Sequence, residues 1–292
     1  MPIAAKRQRN GPCVCGSGKK QKKCCGEKSL EGVPSSVTWD GSQPDLPSAA
    51  EINQLLVMAQ AGQYLVLEGR AQELLCRFPK AGVVWNILGL SLWRQGKNAL
   101  PALTNAAIFL SDDAETHSNL GNALRINGRP QEALISQRRA LAISPNYADA
   151  HNNLGSALQD LGQLEAAAAS YRAAIKLKPD FAIAHANLGN VLLALKQLEA
   201  AVASYNYALR LKPDFLAVLI NLGSALRDLG HIIEAETAYR RALHLKPDAT
   251  EVHHNLAVVL RLQNRNTEAE TSCRMALDLH PRFTPAIVFL AR

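Results

Sequence analysis

The sequence predicts an all-α fold, a solenoid of helix–turn–helix repeats of 34 residues, preceded by a small cysteine-rich knuckle. Three observations carry this expectation. First, Asn119-Leu120-Gly121, Asn153-Leu154-Gly155, Asn187-Leu188-Gly189, Asn221-Leu222-Gly223 and Asn255-Leu256-Ala257 recur with a constant spacing of 34. Prolines keep the same beat (Pro145, Pro179, Pro213, Pro247, Pro281), as do two columns of alanine beginning at Ala133 and Ala140. A fixed period of this length marks stacked supersecondary units. Second, within 148–181 the apolar residues Ala150, Leu154, Ala157, Leu158 and Leu161 recur at helical steps and form one face. Third, the composition is that of a folded chain: 48% hydrophobic and 20% charged over 292 residues.

Charge is uneven. Residues 1–28 hold eight Lys/Arg against one acid, Glu27, and so account for the whole net charge of +7. The remaining residues balance. A basic patch of this size can meet an acidic partner but does not make the whole protein a nucleic-acid binder. No stretch approaches the ~20 continuous apolar residues of a membrane span. Met1 to Asn10 is polar and basic with no apolar run, which predicts no secretory leader and a cytoplasmic protein.

The first element, 1–28, contains Cys13, Cys15, Cys24 and Cys25. In a cytosolic chain such a cluster points to metal before disulfide. Four thiolates close a tetrahedral zinc site and leave no open position for a substrate. Gly16 and Gly18 permit the turn that brings both pairs to one ion. A redox thiol pair is the competing reading. Residues 29–47 carry three prolines, two glycines and four serines and read as a flexible linker. Trp39, within it, reads as an incidental residue, with a docking anchor as the alternative.

From 48 to 283 each unit is a helical hairpin, in the order 48–81, 82–113, 114–147, 148–181, 182–215, 216–249 and 250–283. In 148–181, Gly162 ends the first helix as a residue free to take positive φ. A second helix spans about Leu164 to Leu177 with Ala167, Tyr171, Ala174 and Ile175 inward, and Pro179 prevents its continuation. The first unit is degenerate but keeps Gly62 and Pro79. The second lacks two residues, expected in its inter-helix turn between Gly96 and Ala99. Residues 284–292 open a further first helix.

Leu154-Gly155, Ala167, Tyr171, Ala174 and Pro179 fill the places of the tetratricopeptide repeat (TPR) signature, and the region resembles that family over about four-fifths of the chain. The resemblance implies a right-handed α-solenoid whose first helices line a concave face. Pro12 to Gly26, with its Cys-x-Cys-Gly-Ser-Gly-Lys-Lys core and Lys-x-Cys-Cys ending, resembles the SEC-C motif known from the tail of the bacterial preprotein translocase motor. That resemblance implies structural zinc on Cys13, Cys15, Cys24 and Cys25 and a partner-binding role. Gln21 stands where the motif usually has an aromatic residue.

Counting each repeat from its first residue, Asn119, Asn153, Asn187, Asn221 and Asn255 all occupy position six. A carboxamide both donates and accepts, so a ladder of them can pair with an extended peptide backbone whatever its sequence. The ladder is similar to the one lining the superhelix of protein O-linked N-acetylglucosamine (O-GlcNAc) transferases. The plainer reading is hydrogen bonding within the groove. Asn122, Ser156, Asn190 and Ser224 at position nine would extend the polar face.

His117, His151, His185 and His253 form a column at position four, shared with Trp85 and Leu219, and read as packing. Tyr171, Tyr205 and Tyr239, with Cys273 next in line, read as core, and Cys76 as buried. Glu132, Glu165, Glu199, Glu234 and Glu268 read as solvated charges at helix starts. No nucleophile elbow, zinc-protease motif, dinucleotide fingerprint or complete phosphate loop is present.

The sequence therefore predicts a non-enzymatic scaffold that binds an extended peptide, with the zinc knuckle as a second docking point. The alternative is the substrate-recognition part of a bacterial transferase, of the O-GlcNAc transferase type or a sulfotransferase, with its catalytic domain outside this chain.

Overall fold

A computed structural model describes residues 46–291. The linker with Trp39 and the cluster Cys13, Cys15, Cys24 and Cys25 lie outside the described residues, apart from the linker's last two positions. The described residues form fifteen α-helices, grouped in two compact units that divide between Pro145 and Asn146.

The first unit holds α1 (Ala49–Gln60), α2 (Tyr64–Arg77), α3 (Gly82–Arg94), α4 (Leu100–Phe109), α5 (Ala114–Ile126) and α6 (Pro130–Ile143). Ser48 opens α1 with a capping box: its hydroxyl accepts from Glu51 N–H, and the Glu51 carboxylate accepts from Ser48 N–H at 2.9 Å. Asp113 caps α5 by accepting from Thr116 N–H at 2.8 Å. Leu55, Leu67, Leu74, Leu75, Val84 and Trp85 are all buried and form the centre of this unit.

The second unit holds α7 (Ala148–Asp160), α8 (Leu164–Leu177), α9 (Ala182–Ala194), α10 (Leu198–Leu211), α11 (Leu216–Asp228), α12 (Ile232–Leu245), α13 (Thr250–Leu262), α14 (Asn266–Leu279) and α15 (Thr284–Leu290). Between α7 and α8 the chain reverses in three residues. Gly162 takes φ +72°, and Gln163 N–H donates to Leu158 O at 2.9 Å while Gly162 N–H donates to Gln159 O at 2.9 Å. This is a Schellman closure, which satisfies carbonyls left open at the helix end. The same geometry recurs at Lys196 (φ 62°) and Asn264 (φ 61°), where a side chain occupies a left-handed position.

The shortened second repeat departs from expectation. Its turn, 95–99, is longer than the three-residue turn at 161–163, and α4 has 10 residues where α8 has 14. The missing residues come out of the first turn of the second helix, because Ala99 keeps its buried place while serving as the N-cap. Pro101 at the second helical position suits this late start, since an N–H there has no intrahelical partner in any case. Cys76 is only half-buried, one position past the apolar stripe of Leu67, Ala71, Leu74 and Leu75; Cys273 is fully buried.

In the repeats from 82 to 249 the glycine at position eight sets how closely the two helices approach. A Cβ added at Gly155, Gly189 or Gly223 would sit 2.7, 2.5 or 2.6 Å from the ring of Tyr171, Tyr205 or Tyr239. All three rings are fully buried, as expected of core residues. Where the last repeat has Ala257 instead of glycine, its partner is the smaller Cys273, so volume is conserved across the contact.

Candidate functional site

The five asparagines of the ladder stand at the same register on α5, α7, α9, α11 and α13, and each is half-buried. In the second unit the Asn187 amide donates to Asn152 Oδ1 at 3.1 Å, and the Asn221 amide donates to Asn190 Oδ1 at 2.9 Å. Asn152 in turn donates to Asn153 Oδ1 at 3.4 Å. In the first unit the Asn119 amide reaches Asn86 Oδ1 at 3.5 Å. These side chains bond from one first helix to another, and each carboxamide has further donor and acceptor capacity for a guest.

The core tyrosines support this face from below. Tyr171 donates to Ser156 Oγ at 3.1 Å and Gln159 Oε1 at 3.0 Å; Tyr205 donates to Asn190 Oδ1 at 2.8 Å; the Tyr239 hydroxyl lies 3.0 Å from Ser224 Oγ. Burial pushes the Tyr205 and Tyr239 phenols up, well above the usual range for Tyr205, so both stay protonated across the neutral range. The signal was present in the sequence. Position nine is polar wherever the facing core residue is Tyr or Gln (Ser156, Asn190, Ser224, Asn122) and apolar opposite Leu103 and Cys273 (Leu90, Val258).

At the α13 end of the second unit the face changes character. His254, next to Asn255, is half-buried, and its buried Nδ1 has no hydrogen-bond partner. Its ring meets Phe283 and Phe289 edge-on, at 5.7 and 5.9 Å between centroids. The Arg261 guanidinium stacks 3.7 Å above Phe289 and donates to Phe289 O at 3.3 Å. Arg227 donates to Asp228 at 2.8 Å. Burial, and then the charges of Arg227 and Arg261, push the His254 imidazole below its ordinary range. Sequence reasoning missed His254 because the column at position four drew attention to its neighbour His253.

That column holds more than packing. Nε2 of His117, His185 and His253 lies 2.9, 3.0 and 2.8 Å from the carbonyl oxygens of Ser111, Pro179 and Pro247, and Trp85 Nε1 donates to Pro79 O at 2.9 Å. A carbonyl only accepts, so these imidazoles carry their proton on Nε2. Each ties a first helix to the turn before it. A second link joins successive repeats. Glu236 on α12, 9% exposed, accepts from Gln263 (2.7 Å), Arg240 (2.8 Å) and Arg265 (2.8 Å). Glu68 on α2 accepts likewise from Gln95 (3.2 Å) and Lys97 (2.6 Å) at the equivalent positions. Burial pushes Glu236 up, but the three donors outweigh it and hold its carboxyl below the ordinary range. The first-turn acids are exposed as expected, and Glu132 and Glu268 pair with Arg129 and Arg265.

Among the described residues no group of three or more His, Cys, Asp or Glu side chains could hold a metal ion, and no helix is long and apolar enough to cross a membrane. What the second unit offers is a polar, buttressed face built from successive first helices.

Repeated helical pairs with a glycine-tyrosine closure and such a face define a class of helical-repeat scaffold. Tetratricopeptide repeat profiles match residues 112–180, 152–214 and 220–282, together more than half of the chain. The chain belongs to the tetratricopeptide repeat family. Among solved structures it is similar to YrrB, a TPR protein described as having an unusual peptide-binding site (TM-score 0.58, 20% identity, 65% of this chain and 98% of that one). It is also similar to pilF of Pseudomonas aeruginosa (TM-score 0.64, 21% identity, 72% and 96%). A third likeness is to the APC/C hetero-tetramer Cut9-Hcn1 (TM-score 0.68, 20% identity, 84% and 49%). At these identities the likeness is one of fold. A UPF0225 protein of Vibrio cholerae is 72% identical over 26 residues, 9% of this chain; the match spans 17% of that relative's length. TPR proteins bind protein or peptide partners, which makes this chain a protein-interaction scaffold by class.

Proposed function

We propose that the chain binds an extended peptide segment along the face carrying Asn153, Asn187, Asn221 and Asn255, with Asn119 contributing the same chemistry in the first unit. The observation that carries this reading is the cross-helix ladder, in which Asn187 and Asn221 are held by Asn152 and Asn190 and Asn190 is itself held by Tyr205. Such side chains are pre-organised, so a guest finds donors and acceptors whose ordering cost is already met. The likeness to YrrB, a TPR protein with a peptide-binding site, supports the same reading. The test is to pan the chain against random dodecapeptides on phage and measure the selected peptides by calorimetry. Asn187→Ala with Asn221→Ala is expected to weaken them at least about tenfold with helicity unchanged, since two lost hydrogen bonds are worth about that or more. Equal affinity in that variant would overturn the reading.

The same proposal gives the N-terminal element a docking role. Cys13, Cys15, Cys24 and Cys25 are a donor set that suits one structural Zn²⁺, and the lysines between them offset the charge of a tetrathiolate and favour an acidic partner. Elemental analysis should find one zinc per chain, lost in Cys24→Ser with Cys25→Ser. Metal-free wild-type protein isolated without chelator would count against zinc.

A further inference from the structure

Along the face of the second unit, arginines gather at the α13 end, where a buried nitrogen also lacks a partner. Position five carries Asn152, Ala186 and Ile220 on α7, α9 and α11, but His254 on α13. Position twelve carries Gln159 and Leu193 on α7 and α9, but Arg227 and Arg261 on α11 and α13. We propose that Arg227, His254 and Arg261 form an anion pocket that receives one acidic side chain, a carboxylate or a phosphate ester, of the extended segment bound along this face. The inference rests on the peptide-binding reading above.

The geometry supports it in three ways. Buried polar atoms are rarely left without a partner, yet Nδ1 of His254 is buried and unpaired, while the edges of Phe283 and Phe289 hold the ring in place. Phe289 lies against both His254 and Arg261, so one aromatic ring fixes the two cation-forming groups relative to each other. Arg227, already oriented by Asp228, faces the same imidazole from α11. An anion placed among these groups neutralises the charge that now disfavours a second proton on the ring, and a turn of the imidazole brings Nδ1–H, buried at rest, into reach of it. Anion capture and protonation of His254 are therefore coupled, with up to one proton taken up from water for each acidic side chain bound, depending on pH.

Two acids stand beside these groups, Asp228, which is paired with Arg227, and Glu251, and an incoming anion must outweigh both. On α13 itself Glu251 faces the imidazole and favours its protonated form. Tyr239 on α12 and Cys273 on α14 are buried, and their acid groups are pushed up, so they remain neutral below pH 8. Phe283 and Phe289, at the start and end of α15, carry no charge.

The pocket also sets a register. Successive packed helices lie roughly 10 Å apart, and an extended strand advances about 3.3 Å per residue. The acidic residue should therefore lie about three residues from the one facing Asn221 and about six from the one facing Asn187.

The experiment follows His254 directly. In the full chain labelled with 13C-histidine, the Cε1–H resonance, assigned with His254→Asn, is titrated between pH 5 and 8. The probes are sodium phosphate, sodium acetate, and three end-blocked dodecapeptides of Gly, Ser and Asn that differ only in a central Glu, phosphoserine or Gln. Phosphate or acetate should raise the His254 midpoint where chloride at equal ionic strength does not. The acidic peptides should bind up to about tenfold tighter per unit fall in pH through the range where His254 protonates, the limit for one coupled proton. Arg227→Gln and Arg261→Gln should flatten that dependence. Comparison of the Glu and phosphoserine peptides tells which anion the pocket prefers. A His254 midpoint that none of the anions moves overturns the proposal. So does a Gln peptide with the same pH dependence as the Glu peptide. If Glu and Gln peptides bind equally and both fail on Asn187→Ala with Asn221→Ala, the peptide face stands and the anion pocket falls. If His254 responds to phosphate but the asparagine variant binds the Glu peptide normally, the pocket stands and the peptide face falls.

Discussion

The two units close their helical hairpins at the same positions but with different chemistry. In the second unit Gly155, Gly189 and Gly223 press against the rings of Tyr171, Tyr205 and Tyr239; in the first, Gly89 and Gly121 meet Leu103 and Gln137. The tyrosines do two things at once. Their rings fill the space the glycines leave, and their hydroxyls hold Ser156, Asn190 and Ser224 on the exposed face. Leu103 has no polar atom to offer. Gln137 turns its amide to Ser118 O at 2.9 Å and leaves its own Oε1 buried and unpaired. Packing and surface preparation are thus one structure in the second unit and are separate in the first.

The largest expected effect comes from removing a ring. Tyr205→Ala should cost about 3–5 kcal/mol, as for other buried aromatic truncations. Gln137→Ala should cost about 1–2 kcal/mol, because it loses one bond and also removes an orphaned acceptor. Urea unfolding followed by circular dichroism measures both; equal costs would erase the distinction between the units. The next contrast adds a methyl group on the other side of the contact. Gly189→Ala places a Cβ against a rigid ring and should destabilise by about 1–2 kcal/mol after the gain in helix propensity is subtracted. Gly121→Ala meets the far end of Gln137, which can swing aside at the expense of its bond to Ser118 O, and should stay within about 1 kcal/mol of wild type once the gain in helix propensity is counted. Gly189→Ala combined with Tyr205→Leu should cost less than the sum of the two, because the clash is shared.

A finer cut separates ring from hydroxyl. Tyr205→Phe keeps the packing and loses the bond to Asn190, so about 1 kcal/mol is expected, together with weaker binding of any peptide that uses Asn190 or Asn221. It also has a pH signature. Burial raises the Tyr205 phenol above its ordinary value near 10. Above pH 10 the folded chain therefore holds a proton that the unfolded chain releases, and stability falls as pH rises. Tyr205→Phe should shallow that alkaline fall, whereas Gln137→Ala in the first unit should leave it unchanged. At the acid end the lowered His254 works in the opposite sense. Its stabilisation is complete above its unfolded value near 6.5 and is lost as pH falls toward its folded value, and His254→Asn should soften that loss.

Period and face were legible because each repeat writes the same helical pattern: the columns of Asn, Leu-Gly, Ala and Pro locate the turns and the buried side of each helix. Helical periodicity tells which face a side chain joins, but not where its far end goes. The rings of Tyr171, Tyr205 and Tyr239 could be placed in the core, while the reach of their buried hydroxyls to Ser156, Asn190 and Ser224 could not. The position-four histidines could be placed on the packed side, while their bonds to turn carbonyls depend on how one repeat meets the next. Glu236 and Glu68 escaped for a related reason. A lone glutamate in a helix reads as solvated until the following repeat brings Gln263 and Arg265, or Gln95 and Lys97, over it. The two-residue deletion shows the limit in register. The repeat spacing places it between Gly96 and Ala99, but whether turn or helix gives way depends on which buried contact must be kept, and Ala99 keeps its own.

The smallest contrast lies in the inter-helix turns. In the first unit Gly62, Gly96 and Gly128 occupy the left-handed position, at φ between 69° and 72°; in the second, Lys196 and Asn264 stand there in alternation with Gly162 and Gly230. For lysine that conformation crowds Cβ against the following carbonyl, at roughly 1–2 kcal/mol; asparagine tolerates it better. Glycine would relieve the strain but also adds freedom to the unfolded chain, which returns part of the gain. Lys196→Gly should therefore stabilise by under about 1 kcal/mol, and Asn264→Gly by less. Because stability in a repeat array is approximately the sum of local and nearest-neighbour terms, the gain should appear as slower amide exchange in α9 and α10 and leave α2 and α3 unchanged. Uniform slowing across both units would mean that they unfold as one cooperative block, and the difference between their cores would then be chemical only.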